Sequence, residues 1–326
     1  MLLVVFFHSS LFWSGRNWLG CIEPKHTSNV IPFLCFTLQS FHTRAFTLIS
    51  GYLFYYLKFE KGKYNRFVPF VTNKASRLVA PLILVSLFWI IPLSLCVFPD
   101  FETRVIDKFL LLKSPSQLWF LMMLFNTFVF FHFFASFFAK HTYLGFAVLL
   151  AFHLCCPVIP SVFQLQSFAN FAILFGIGFK LRQFKADFTD KRRLAVLAFG
   201  ALCVLIVAYN LEQLENLNIT QKCLRKGISL GNIILSPIAA FFLLQKLAAR
   251  ISWQNNPTFQ TLARYSMAIY LLHQQIIYFT IIAFNGLLPI PLHVGINFVV
   301  STTLSLLIAL LLTRYKLGRV ILGEGK

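Results

Sequence analysis

MLLVVFFHSSLFW, residues 1–13, carries one ionisable side chain, His8, in a run otherwise fit for lipid. A group able to take a charge is costly inside a membrane span, so its presence there points to function first. Working outward, the same kind of run recurs through the chain with little between. Taking roughly 20 apolar residues per helical span, helices are expected near 1–13, 30–57, 78–98, 117–138, 143–158, 162–180, 194–210, 226–245, 262–284 and 293–313. The fold class that follows is all-α, a polytopic transmembrane helical bundle of about ten helices, forming one integral membrane domain over 1–326 with no stretch left for a soluble one.

Composition agrees. With 58% apolar residues, 12% charged residues and 40 phenylalanines, the chain lies outside the range of soluble domains. A net charge of +19 would suggest nucleic acid in a soluble protein, but its placement removes that reading. If the first helix runs outward, 20 of the 29 Lys and Arg fall in the inner loops 58–77, 139–142, 180–193 and 246–264 and in the tail 314–326. The outer loops hold 8, and Arg44 lies within a span. The bias places both termini on the cytoplasmic side. Residues 1–13 give only about 20 Å of helix against about 30 Å of hydrocarbon, so the first helix is expected to be truncated at its start. Neither a basic leader nor a small-residue cleavage site marks it as a signal peptide. Cys21 and Cys223 both fall in outer loops and could pair in an oxidising compartment.

The polar residues inside spans form a short census. In QSFHTRAFTLISGYLF (39–54), Arg44 lies about 20 Å from the nearer helix end, beyond its own reach to either surface, and should face a cavity or a partner. His42, two residues earlier, points about 200° away from it. Ser50-Gly51 permits close helix approach. In RYSMAIYLLHQQ (264–275), Ser266, Tyr270 and His273 share one face at i, i+4 and i+7, and Trp119 to Asn126 makes a weaker stripe on the fourth span. His132 and His153 lack such a stripe, and His26, His141 and His293 lie at or near loops; these five read as structural or solvated. None of the ten acids falls within an expected span. Proton-coupled transport generally runs on buried acid or histidine relays, and histidines without acids suit it poorly. A histidine base drawing a proton from an alcohol fits better. No Cys/His cluster suggests a metal.

With these residues marked, the chain resembles the acyltransferase-3 family of multi-span bacterial enzymes, in particular the branch of sugar O-acetylases that act on exopolysaccharides. LLVVFFHSS resembles the family's first-helix pattern ending in a histidine, and FHTRAFTLISGYLF its second-helix signature. NKASRLVAPL resembles the basic pair and proline opening the third helix, LWFL at 118–121 the fourth, and SMAIYLLH at 266–273 a late Ser-x-x-x-Tyr-Leu-Leu-His element. There are three departures. The arginine usually found eleven positions before the histidine would precede Met1, Thr43-Arg44-Ala45 replaces more apolar residues, and Lys74 stands where an arginine is usual.

The resemblance implies acyl transfer from cytoplasmic acyl-CoA, the donor, to a hydroxyl of a cell-surface or lipid-linked glycan, at a bacterial inner membrane. On that plan His8 is the catalytic base, or is itself transiently acylated. Lys74 and Arg77 grip the CoA, while His42, Arg44, Trp119, Asn126, Ser266, Tyr270 and His273 line the substrate cavity. The rival readings are a flippase for a lipid-linked saccharide and an inactive truncated member of the family.

Overall fold

A computed structural model describes residues 1–15, 18, 21–98, 106–113, 116–250 and 255–324. Among them, the regular elements are all helices: α1 (Leu2–Ser10), α2 (Ile31–Tyr55), α3 (Phe67–Val97), α4 (Trp119–Lys140), α5 (Thr142–Cys155), α6 (Leu165–Gln183), α7 (Lys191–Glu212), α8 (Ile219–Arg250), α9 (Pro257–Arg264), α10 (Ser266–Phe284), α11 (Ile290–Leu312), α12 (Lys316–Ile321) and short helical turns at their ends. Seven, α3, α4, α6, α7, α8, α10 and α11, are long and apolar enough to cross a membrane. α1, continued to Trp13, and α5, continued to Val158, are apolar but shorter. α2 has the length, at 25 residues, but Gln39, Ser40, His42, Thr43 and Arg44 keep it out of the seven. The chain is an integral membrane protein and its fold an all-α bundle, as the apolar periodicity requires.

Boundaries moved where charge or proline confounds hydropathy. α3 starts at Phe67 rather than 78, so Lys74 and Arg77 stand inside a helix instead of in the preceding loop. Its amphipathic first turns carry too much charge to register as a span, yet they continue it. α3 also passes through Pro81 and Pro92 unbroken. A proline ring clashes with the carbonyl four residues back, here Arg77 and Phe88, and both lie in widened turns, Ala75–Val79 and Ser86–Ile90, that relieve the clash. The expected ninth span, 262–284, is broken at Tyr265 into α9 and α10. Helix starts have local causes: the Asp190 carboxylate accepts from the Arg192 and Arg193 amides at α7, and Asn256 accepts from the Phe259 amide ahead of Pro257 at α9.

The closest helix pair is α2 against α6. A methyl on Gly51 would stand 2.0 Å from the Phe175 carbonyl oxygen, and one on Gly178 would stand 1.8 Å from that of Leu48. Two glycines, one on each helix, thus bring the backbones together as the Ser50-Gly51 pair suggested. Around this seam Phe54, Phe128, Phe131, Phe138, Phe175 and Phe179 form an aromatic core shared by α2, α4 and α6. At one end of the bundle Arg182 clamps Glu60 through two bonds, Nε to Oε1 at 2.8 Å and Nη2 to Oε2 at 2.6 Å. Beside it the buried Lys180 ammonium donates to the Phe138 carbonyl, Thr142 Oγ1 and Gln183 Oε1, closing the end of α4. At the opposite end the Asn285 amide donates to the Glu23 carbonyl and accepts from the Lys25 amide. The segments 58–77, 139–142 and 180–193, expected inside, therefore meet at one end, and 14–29 and 285–292, expected outside, meet at the other.

None of the seven cysteines, Cys21 and Cys223 included, forms a disulfide. Asp100 and Glu102 lie outside the described residues.

Candidate active site

α10 forms the spine of the site because its polar residues turn inward. Its buried stretch runs from Ala268 to Ile281 and includes Tyr270, His273, Gln274, Gln275 and Thr280. Neighbours grip it through its carbonyls: Gln117 Nε2 donates to Leu271 O at 2.9 Å and Trp89 Nε1 to Leu272 O at 3.2 Å. Gln117 Nε2 also reaches Gln275 Oε1 at 3.0 Å, and the Tyr270 hydroxyl donates to the Gln117 carbonyl. Buried polar groups in a low-dielectric bundle must be paired, and here the pairing fixes α10 against α3 and the start of α4.

His273 is fully buried, and its Nδ1 lies 3.0 Å from Ile269 O and 2.9 Å from Tyr270 O. Carbonyls only accept, so Nδ1 carries the hydrogen, and a neutral His273 presents the lone pair of Nε2. That atom lies 2.9 Å from His8 Nδ1. His8 is therefore the donor in this bond. Its proton sits on Nδ1 and its basic nitrogen is Nε2, a tautomer assigned from the hydrogen-bond network.

α1 itself is held in place by its neighbours. Asn297 Nδ2 on α11 donates to Ser9 O at 3.1 Å, while Asn297 Oδ1 accepts from Thr280 Oγ1 at 2.7 Å. The carbonyl next to His8 is thus tied to both α10 and α11. His42 lies on the other side, its Nδ1–H donating to Leu38 O at 2.6 Å and its ring 4.6 Å from that of Phe7. The Trp18 indole stacks over His8 with centroids 6.1 Å apart.

Three of the expected residues, His8, His42 and His273, thus gather within one cluster, with Tyr270 bracing it from α10. The others make their hydrogen bonds and ring contacts to different partners. Arg44 spends one of its donors on Gln39 O at 3.0 Å, reaching back along its own helix. Asn126 donates to Phe163 O at 2.7 Å, in the turn before α6, and Trp119 packs edge-on to Phe171. Ser266 opens α10, half-buried.

Lys74 lies elsewhere. Its ammonium is 3.8 Å from the Phe128 ring centroid, with Tyr64 at 5.1 Å and Phe70 at 5.9 Å, an aromatic cage for a cation. Arg77 is exposed. The widened turn that begins after Lys74 alters the helical phase between it and Arg77. His293, expected near a loop, is buried, because α11 begins at Ile290; its Nε2 lies 3.2 Å from Thr280 O.

The acyltransferase domain of the acyltransferase-3 family matches residues 1–314, nearly the whole chain. The chain belongs to the acyltransferase-3 family. No curated protein and no solved structure matches it. For an acyltransferase, the chemistry must place a base beside a hydroxyl and a thioester or similar acyl donor, and the His8–His273 pair has the form of a base with its orienting partner.

Sequence reasoning missed Gln117, Trp89, Gln274 and Gln275. The two glutamines directly follow His273 in an apolar helix, and that pairing was the available signal. Trp89 and Gln117 act through backbone carbonyls, for which no sequence pattern exists. A cavity of about 940 Å³ between α1, α2 and α11, walled by Phe6, Leu34, Pro291 and Val294, carries His26 but no member of the cluster.

Proposed function

We propose that this acyltransferase moves an acyl group, acetyl in the simplest case, from acyl-CoA to a hydroxyl of a cell-surface or lipid-linked glycan. It works at a bacterial inner membrane with both termini in the cytoplasm. The observation that carries the reading is the 2.9 Å contact between His8 Nδ1 and His273 Nε2, which leaves His8 Nε2 as the basic atom.

The residues divide the work as follows. His8 Nε2 takes the hydroxyl proton as the sugar oxygen attacks the thioester carbonyl; the carbon–sulfur bond breaks, and the proton passes from Nε2 to the departing thiolate. While His8 holds the extra proton, its Nδ1–H bond to neutral His273 becomes charge-assisted and strengthens. His273 thus stabilises a charge that exists only during transfer, which is how binding energy lowers a barrier.

Arg44, with donors to spare, and His42 orient the thioester or the acceptor. Lys74 and Arg77 take the donor's phosphates at the basic end. Trp89, which touches the carbonyl beside His273, lies fifteen residues from Lys74 on one helix, a little under the roughly 22 Å of a regular α-helix because two widened turns intervene. An extended pantetheine arm spans a gap of that order.

The test is transfer of label from acetyl-CoA to surface glycan by membranes bearing wild type or His8→Ala. Wild type should label the glycan, and the variant should insert normally but label none. Labelling retained in the variant would remove His8 from the chemistry. A change in the amount of glycan exported, with ester content per sugar unchanged, would point to a flippase instead.

A further inference from the structure

Around the outer side of His8 stands a second group of side chains that acyl transfer as described does not use. The Trp18 indole stacks on His8 with its plane tilted 23°, and its centroid is 5.1 Å from that of Tyr278. Phe98, just past the end of α3, meets Tyr278 edge-on at 5.5 Å. Gln274, one turn before Tyr278 on α10, donates through Nε2 to the Tyr278 hydroxyl, yet its Oε1 is buried without a hydrogen-bond partner. Turning the amide over would leave Nε2 unpaired in its place.

Tryptophan and tyrosine near the ends of spans are common as interfacial anchors, which face the lipid headgroups. Here the rings face inward, onto a histidine and onto each other. An anchoring role also leaves the amide unexplained, since a buried polar atom without a partner is costly. Aromatic faces beside an unspent amide are what a sugar ring needs: its C–H face packs on an aromatic surface while a hydroxyl pairs with the amide.

We propose that Trp18, Tyr278 and Gln274 form the acceptor subsite and that it takes a pyranose ring, an assignment that rests on the acyl-transfer reading above. A ring held there lies within one aromatic ring's breadth of the His8 imidazole, so one of its hydroxyls is the group that loses its proton.

Binding is measured without any acyl donor, by saturation-transfer NMR of methyl β-D-glucopyranoside with the full chain in lipid nanodiscs. Wild type should saturate the ring protons of the glycoside. Trp18→Ala and Gln274→Leu should each weaken binding on the order of tenfold, the size of one lost hydrogen bond or its equivalent in contact. Trp18→Phe, which keeps an aromatic face, should hold affinity within a few-fold and so guards against misfolding as the cause. No saturation in wild type, or equal affinity in all four proteins, would overturn the subsite. Because no acyl-CoA is present, that failure is separate from failure of the transferase reading, which would show as bound glycoside that is never acylated.

Discussion

Replacing His273 by alanine and by glutamine separates a positioning role from mere packing. In wild type, His273 Nε2 accepts the His8 Nδ1–H at 2.9 Å in a buried setting. A neutral hydrogen bond contributes about 0.5–1.5 kcal/mol, and one to a charged group about 1.5–3 kcal/mol. His8 is charged only while it holds the acceptor's proton, so the larger value applies to the transition state. Only the difference between the two, roughly 1–1.5 kcal/mol, acts on the step, so alanine should lower kcat on the order of tenfold with the KM for both substrates little changed. Glutamine places a carbonyl oxygen near the site of Nε2 and still accepts from His8, so it should recover most of kcat. The assay is steady-state transfer of label from acetyl-CoA to glycan by purified protein in nanodiscs. If alanine matches wild type, or if glutamine is as slow as alanine in a protein that melts normally, then His273 does not act through the His8 tautomer.

Gly178→Ala would drive a methyl to within 1.8 Å of the Leu48 carbonyl oxygen, so the α2–α6 seam must open; a loss of about 1–3 kcal/mol should lower the melting temperature in detergent, and an unchanged melt would show the seam to be loose. The Arg182 bonds hold the Glu60 carboxyl below its ordinary range. Since the folded value is the lower one, the stabilisation is in full force above the unfolded value and fades as pH falls through the folded one. Thermal melts taken downward from neutral pH into that acid range should thus lose stability more steeply in wild type than in Glu60→Gln, by a small amount given the exposure of the pair. Changing Lys74 and Arg77 together to glutamine should raise the KM for acetyl-CoA on the order of tenfold, and an unaltered KM would leave the two to membrane orientation.

The fold was legible because lipid imposes a simple rule: each crossing helix must be apolar for its full length, and the charges between crossings report sidedness. That rule finds ten segments, but it reads only the lipid-facing requirement. It therefore misplaced the start of α3, where charged turns extend a helix beyond the apolar zone, and ran α9 into α10, where the break at Tyr265 leaves hydropathy unaltered. Within the site, the i, i+4, i+7 spacing found Tyr270 and His273 because an inward polar face must repeat with the helix. It could not tell that these two reach different partners, Gln117 and His8, from elements distant in sequence. Asn126 was expected from the same kind of spacing, and the partner of its amide, the backbone of the turn before α6, was likewise not legible in the sequence.

The scarcity of acids bears directly on the chemistry. Among the described residues no Asp or Glu sits in the middle of a membrane-length helix; Glu212 closes α7, Glu60 closes the turn that extends α2, and Asp107 lies in the short helical turn Ile106–Leu110. A histidine base is often oriented by a carboxylate, but an anion at the depth of His273 would carry a heavy desolvation cost unless fully paired. A neutral imidazole whose own proton is committed to the Ile269 and Tyr270 carbonyls does the orienting with no net charge. It fixes the His8 tautomer in the resting state, where nothing is charged, and becomes a strong acceptor only when His8 is protonated. On the proposed mechanism the pair places its electrostatic stabilisation on the transfer step alone, and where the described residues bring no carboxylate to that depth the second histidine is the polar partner of the first.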